Sequence, residues 1–132
     1  MVVTNMKGTE MKRMQTMAAG LLMLAGAVAS PLAIAHATLK NSQPIANAVL
    51  EKAPPDIQLT FNEKVEAAFS SIVVQDGGGK DIEAGKARVD AANPVLLKLD
   101  LPALGTGSYS VRWVAVGPDG HRRSGQFGFT VK

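Results

Sequence analysis

Beyond residue 36, apolar side chains recur at every second position in one short segment after another, and no segment sustains the period of a capped helix. Ile57, Leu59 and Phe61 alternate with Gln58 and Thr60. Leu97, Leu99 and Leu101 alternate with Lys98 and Asp100, while Tyr109, Val111, Trp113 and Ala115 alternate with Ser110 and Arg112. Phe127, Phe129 and Val131 form a last set, and Ser71 to Gln75 (SIVVQ) is rich in β-branched residues. A period of two gives a strand one buried and one wet face, and Pro or Gly interrupts the chain at short intervals. The pattern predicts an all-β sandwich or barrel of about seven antiparallel strands, with room for a short helix over 65–69. Asp76-Gly77-Gly78-Gly79 reads as a hairpin loop. No helix pattern follows it to aim amides at a phosphate. Leu104 to Tyr109 reads either as a tyrosine corner, with the phenol bonded to backbone a few residues upstream, or as an ordinary core tyrosine. Trp113 is expected in the core between the sheets.

The first 35 residues follow a different logic. Lys7, Lys12 and Arg13 precede an apolar run, Met17 to Ala29, that is too short to span a bilayer, and Ala33-Ile34-Ala35 places small residues where signal peptidase requires them. The expected organisation is a secretory signal peptide over 1–35 and one domain over 36–132, exported to the periplasm, with no membrane insertion after cleavage. All six methionines and three of the fourteen Lys and Arg residues lie in the leader, and the chain has no cysteine. The remainder is therefore near neutral, free of thiol and thioether, and carries no basic footprint for nucleic acid. Its size suits one small core, held without disulfides.

The two histidines of the chain occupy unusual places. Cleavage after Ala35 would make His36 the first residue, so its α-amine and imidazole could close a chelate ring on one metal ion. His121 follows Pro118-Asp119-Gly120, which is a turn sequence. Taken alone it is a solvated residue after a turn. On an extended segment, however, Asp119 and His121 would leave from the same face, and a carboxylate and an imidazole would converge. An amine, two imidazoles and a carboxylate form a mixed nitrogen and oxygen set that suits tetragonal Cu(II), outranks zinc at such a site and serves soft Cu(I) poorly.

On these residues the chain resembles the CopC family of periplasmic copper-binding proteins. The resemblance is carried by His36 directly after the leader, "LKNSQPIANAVLEKAPPDIQLTFNEKVE", "GTGSYSVRWVAVGPDGH" and "SGQFGFTV". It implies an immunoglobulin-like Greek-key sandwich with one Cu(II) near an end, held by the amine and imidazole of His36, the carboxylate of Asp119 and the imidazole of His121. Glu63, in "FNEKV", matches a family acid near the copper, as a fourth protein ligand or as a group that orients His36. The methionine-rich Cu(I) loop of some members has no counterpart over 76–92. The resemblance also implies a copper chaperone or scavenger, not an enzyme, with a CopD-type inner-membrane protein as possible partner.

Two other functions fit parts of the pattern. A first-residue histidine with a second histidine also resembles the copper brace of lytic polysaccharide monooxygenases, which would make the chain a copper-dependent oxidative enzyme. That chemistry needs an open equatorial position and an aromatic docking face. An immunoglobulin-like adhesion domain with incidental histidines would be indifferent to metal.

Overall fold

The computed structural model describes residues 37–132. Residues 1–36, and with them the expected leader and His36, lie outside the described residues.

Eight strands form two four-stranded sheets: β1 (Leu39–Gln43), β2 (Ala48–Leu50), β3 (Asp56–Phe61), β4 (Ser71–Gln75), β5 (Arg88–Asp90), β6 (Asn93–Asp100), β7 (Gly107–Val116) and β8 (Arg122–Val131). One sheet has the order β1-β3-β6-β5 and the other β2-β8-β7-β4. All neighbours are antiparallel except β2, which runs parallel to β8. The count is close to the expected seven or so; β1, β2 and β5 show no readable alternation, and β2 and β5 are only three residues each. The helix allowed for over 65–69 is a single 3-10 turn, Ala67–Phe69.

The alternation becomes a core because facing strands are in register. Ile57 pairs with Leu99 and Leu59 with Leu97 in one sheet, and Ile72 pairs with Trp113 and Val74 with Val111 in the other. All eight side chains point inward and are at most 8% exposed. Burying each large aliphatic one is worth about 1.5–3 kcal/mol. Between the sheets Phe61 meets Trp113 edge to face, with ring centroids 5.3 Å apart. β7 and β8 pair along the full ten residues of each, from Gly107↔Val131 to Val116↔Arg122.

Opposite ends of that hairpin carry different devices. At the start of β7 the phenol of Tyr109 donates to the Gly105 carbonyl at 2.7 Å, which decides between the two sequence readings in favour of the tyrosine corner. Beyond β4, Asp76 turns the chain as expected: its carboxylate accepts from the amides of Gly78 and Lys80, and Gly79 N–H donates to its carbonyl at 3.0 Å. At the far end of β7, the turn over 117–121 leads into β8 and holds Asp119 and His121.

Candidate metal centre

The turn between β7 and β8 is built by its own backbone. Gly120 N–H donates to the Gly117 carbonyl at 3.0 Å with Pro118 and Asp119 between them, and Gly120 takes a φ of 80°, the left-handed region where glycine is unstrained. Asp119 and His121 do converge, yet not by strand parity. The segment is a turn and not an extended run, and Asp119 reaches forward over it. Its Oδ1 accepts the His121 backbone N–H at 3.0 Å, and its Oδ2 lies 3.0 Å from His121 Nδ1. That separation is within hydrogen-bond distance, with the role of Nδ1 set by the imidazole's tautomer. It also matches the cis edge, about 2.9 Å, of a square of donors each about 2.0–2.1 Å from a central ion.

A second loop is clamped against this turn. After β3 the chain runs through Asn62 and Glu63 to Val65, which is buried. Glu66 N–H then donates to the Val116 carbonyl at 2.8 Å. Ser70 closes the clamp by donating its hydroxyl to the Glu66 carbonyl and accepting the Val116 amide. Glu63 is thereby aimed across Gly117, where a Cβ would lie 2.5 Å from Glu63 Oε1 and 3.4 Å from Asp119 Oδ1. Oε1 of Glu63 is buried and has no hydrogen-bond partner among the described residues. Buried polar atoms in folded proteins are nearly always paired, so an oxygen left this way points to a missing donor or cation.

The third element is the start of the described chain. Thr38 N–H donates to Asn62 Oδ1 at 2.6 Å, and Asn62 N–H returns a bond to the Thr38 carbonyl at 3.0 Å. Ala37 is 1% exposed. With Thr38 and Leu39 it lines a surface depression shared with Trp113, Arg123 and Ser124. The segment over 37–39 is therefore tied to the residue next to Glu63 and shares that depression with Arg123 and Ser124 near the start of β8.

Of the four residues singled out in the sequence, the structure brings Asp119 and His121 into contact and places Glu63 beside Asp119 across Gly117. His36 lies outside the described residues. Among the described residues, no three His, Asp or Glu side chains are close enough to hold an ion by themselves. Asn62 and Gly117 were not singled out. Asn62 had no signal of its own, whereas Gly117 looked like an ordinary residue at the edge of a turn.

The described residues thus form a two-sheet β-sandwich that carries a carboxylate and imidazole pair at one end with the buried Glu63 oxygen nearby, and no helix among them is long and apolar enough to cross a membrane. The family model described as CopC domain matches residues 39–132, and the chain belongs to that family. The chain is similar to Protein YobA of Escherichia coli strain K12, at 34% identity over 113 residues, covering 85% of this chain and 91% of YobA. Among solved structures it is similar to CopC from Methylosinus trichosporium OB3b, with a TM-score of 0.70 and 37% identity over 74% of this chain and 94% of that one. PcoC, a methionine-rich copper resistance protein from Escherichia coli, superposes with a TM-score of 0.68 and 32% identity, over 74% of this chain and all of PcoC.

Proposed function

We propose that this chain is a periplasmic Cu(II)-binding protein of copper resistance or homeostasis, with one site built on His36 once the leader is cut after Ala35. His36 would supply its amine and imidazole, Asp119 a carboxylate oxygen and His121 an imidazole. Glu63 would face the ion, or the amine, with its buried oxygen. The observation that carries the reading is that orphan Glu63 oxygen, which shares the space over Gly117 with Oδ1 of Asp119, the partner of His121. Covalent geometry supports the rest. Consecutive Cα atoms across a trans peptide are about 3.8 Å apart, so His36 is tethered within one residue of buried Ala37 and two of Thr38, which Asn62 holds next to Glu63.

PcoC is a copper resistance protein, and this chain shares its fold and about a third of its residues. The two differ in sulfur chemistry. PcoC is methionine-rich, whereas residues 36–132 here contain neither Met nor Cys. Nitrogen and oxygen donors without sulfur favour Cu(II) over Cu(I). Copper is cargo in this reading, handed to or taken from a partner for which a CopD-type inner-membrane protein is the proposal.

The burial of the aromatic residues favours a binding protein over a polysaccharide-oxidising enzyme. Phe61, Trp113 and Phe129 are in the core, and Tyr109 stacks on Phe129, which leaves Phe69 as the one strongly exposed ring among the described residues. One ring is a poor docking face for a sugar polymer. The test is mass spectrometry of the exported protein to fix its first residue, followed by competition against a chromophoric Cu(II) chelator and an electron paramagnetic resonance spectrum. A first residue of His36, one tight equivalent of Cu(II) and a tetragonal signal with several nitrogen couplings are expected. Affinity no better than that of a free His-Ala peptide would overturn the reading.

A further inference from the structure

Gly117 has no backbone reason to be glycine. Its φ is outside the left-handed region, and the turn's demand for that region is met by Gly120 at φ 80°. What excludes a side chain at 117 is Glu63. A Cβ there would stand 2.5 Å from Glu63 Oε1, closer than real Cβ atoms approach, and a tight 3.3 Å from Glu63 Cδ. The neighbouring backbone cannot easily yield, because Glu66 N–H holds the Val116 carbonyl and Ser70 holds the Val116 amide. The carboxylate is the movable party, being the far end of a flexible side chain.

We propose that Gly117 is a positioning residue of the metal centre: its missing Cβ is the space that seats the Glu63 carboxylate beside Asp119, and any side chain at 117 evicts that carboxylate. The copper part of this inference rests on the function proposed above. The seat itself does not, since it is a property of the metal-free chain. The consequence is specific: a methyl group at 117 leaves the sandwich intact and empties the acid from the centre, so its effect imitates loss of Glu63 and not loss of the fold.

The test is a double-variant cycle on the exported protein with Gly117→Ala, Glu63→Ala and both together. Gly117→Ala is expected to weaken Cu(II) binding about tenfold or more, the range for groups that orient metal ligands. It should also change the paramagnetic resonance spectrum to that of Glu63→Ala. In the Glu63→Ala background it should change neither any further, because no carboxylate remains to displace. Wild-type affinity and spectrum in Gly117→Ala, or an equal penalty with and without Glu63, would overturn the proposal. A separate arm uses metal-free protein with 13C-labelled glutamate. The Glu63 carboxyl resonance is expected to move to the position of a solvated glutamate in Gly117→Ala, and an unmoved resonance would sink the seat. If the wild-type chain fails to bind Cu(II) while that resonance moves, the copper reading falls and the seat stands.

Discussion

Asp119 holds His121 with both carboxylate oxygens, Oδ1 on the backbone N–H and Oδ2 at 3.0 Å from the ring Nδ1. The imidazole is thus oriented before any ion arrives. Asn at this position keeps an oxygen for the His121 amide and loses the negative charge beside the ring. Asp119→Asn should therefore fold as the parent does and bind Cu(II) about 10–100-fold more weakly. Chelator competition and a metal-free thermal melt check the two halves. Parental affinity in the variant would remove Asp119 from the centre.

The single tryptophan provides a reporter. Trp113 packs edge to face on Phe61, two residues before Glu63, and lines the depression that begins at Ala37. Bound Cu(II) should quench its fluorescence, and the titration should saturate at one equivalent. In His121→Ala the quenching curve should shift to higher copper, and the resonance spectrum should lose one nitrogen coupling. An unchanged spectrum would make the ligand set wrong.

Gly125 is the cross-strand partner of Trp113, and a Cβ there would lie 2.6 Å from ring atom Cζ2 and 2.7 Å from Cε2. The indole cannot retreat, since Phe61 stands against it. Unlike Gly117, this glycine faces a rigid ring in the core. Gly125→Ala should cost about 1–3 kcal/mol, as overpacked cores do. In a domain of this size that lowers the melting temperature by roughly 4–8 °C per kcal/mol. A metal-free melt within a degree of the parent would show that the ring has somewhere to go.

The two glycines show where the sequence stops being legible. Strands β3, β6 and β7 could be read because their apolar residues alternate over five residues or more and most of the inward ones end in the core, and β4 could be read from its β-branched run. β2 and β5 could not. The first half of β8, Arg122 to Gln126, was hidden as well, because its side chains are exposed or half-buried whichever way they point. At the metal centre the residue types with chemistry were readable, but their geometry was not. Asp119 and His121 meet through a turn and not through the parity of a strand. The space at Gly117 and the tether from Asn62 to Thr38 depend on loops that are distant in sequence, and no local pattern encodes such contacts.

Tyr109 and the centre sit at opposite ends of β7, which makes stability and binding separable. The Tyr109 phenol donates to the Gly105 carbonyl at 2.7 Å, while its ring stays stacked on Phe129. Tyr109→Phe removes the hydrogen bond alone, worth about 0.5–1.5 kcal/mol. The metal-free melt should drop by several degrees, and Cu(II) affinity should stay within twofold of the parent, roughly 0.4 kcal/mol. A large loss of affinity would mean that the two ends are coupled through the β7–β8 hairpin.

The start of the chain separates the amine from the imidazole of His36. Thr38 is fastened to Asn62, and Ala37 is buried, so an added residue ahead of His36 should leave the sandwich alone. It would, however, convert the α-amine into an amide and remove one of the two nitrogens that His36 offers. A variant processed one residue early, so that Ala35 is retained, should melt with the parent when metal-free and gain little stability from one equivalent of Cu(II). The parent should gain clearly, because a ligand bound only by the folded state must raise its melting temperature. The affinity lost should exceed that of His121→Ala, since both a donor and a chelate ring disappear. Equal copper stabilisation of the two forms would mean that the amine is not a ligand, and His36 would then contribute at most its imidazole.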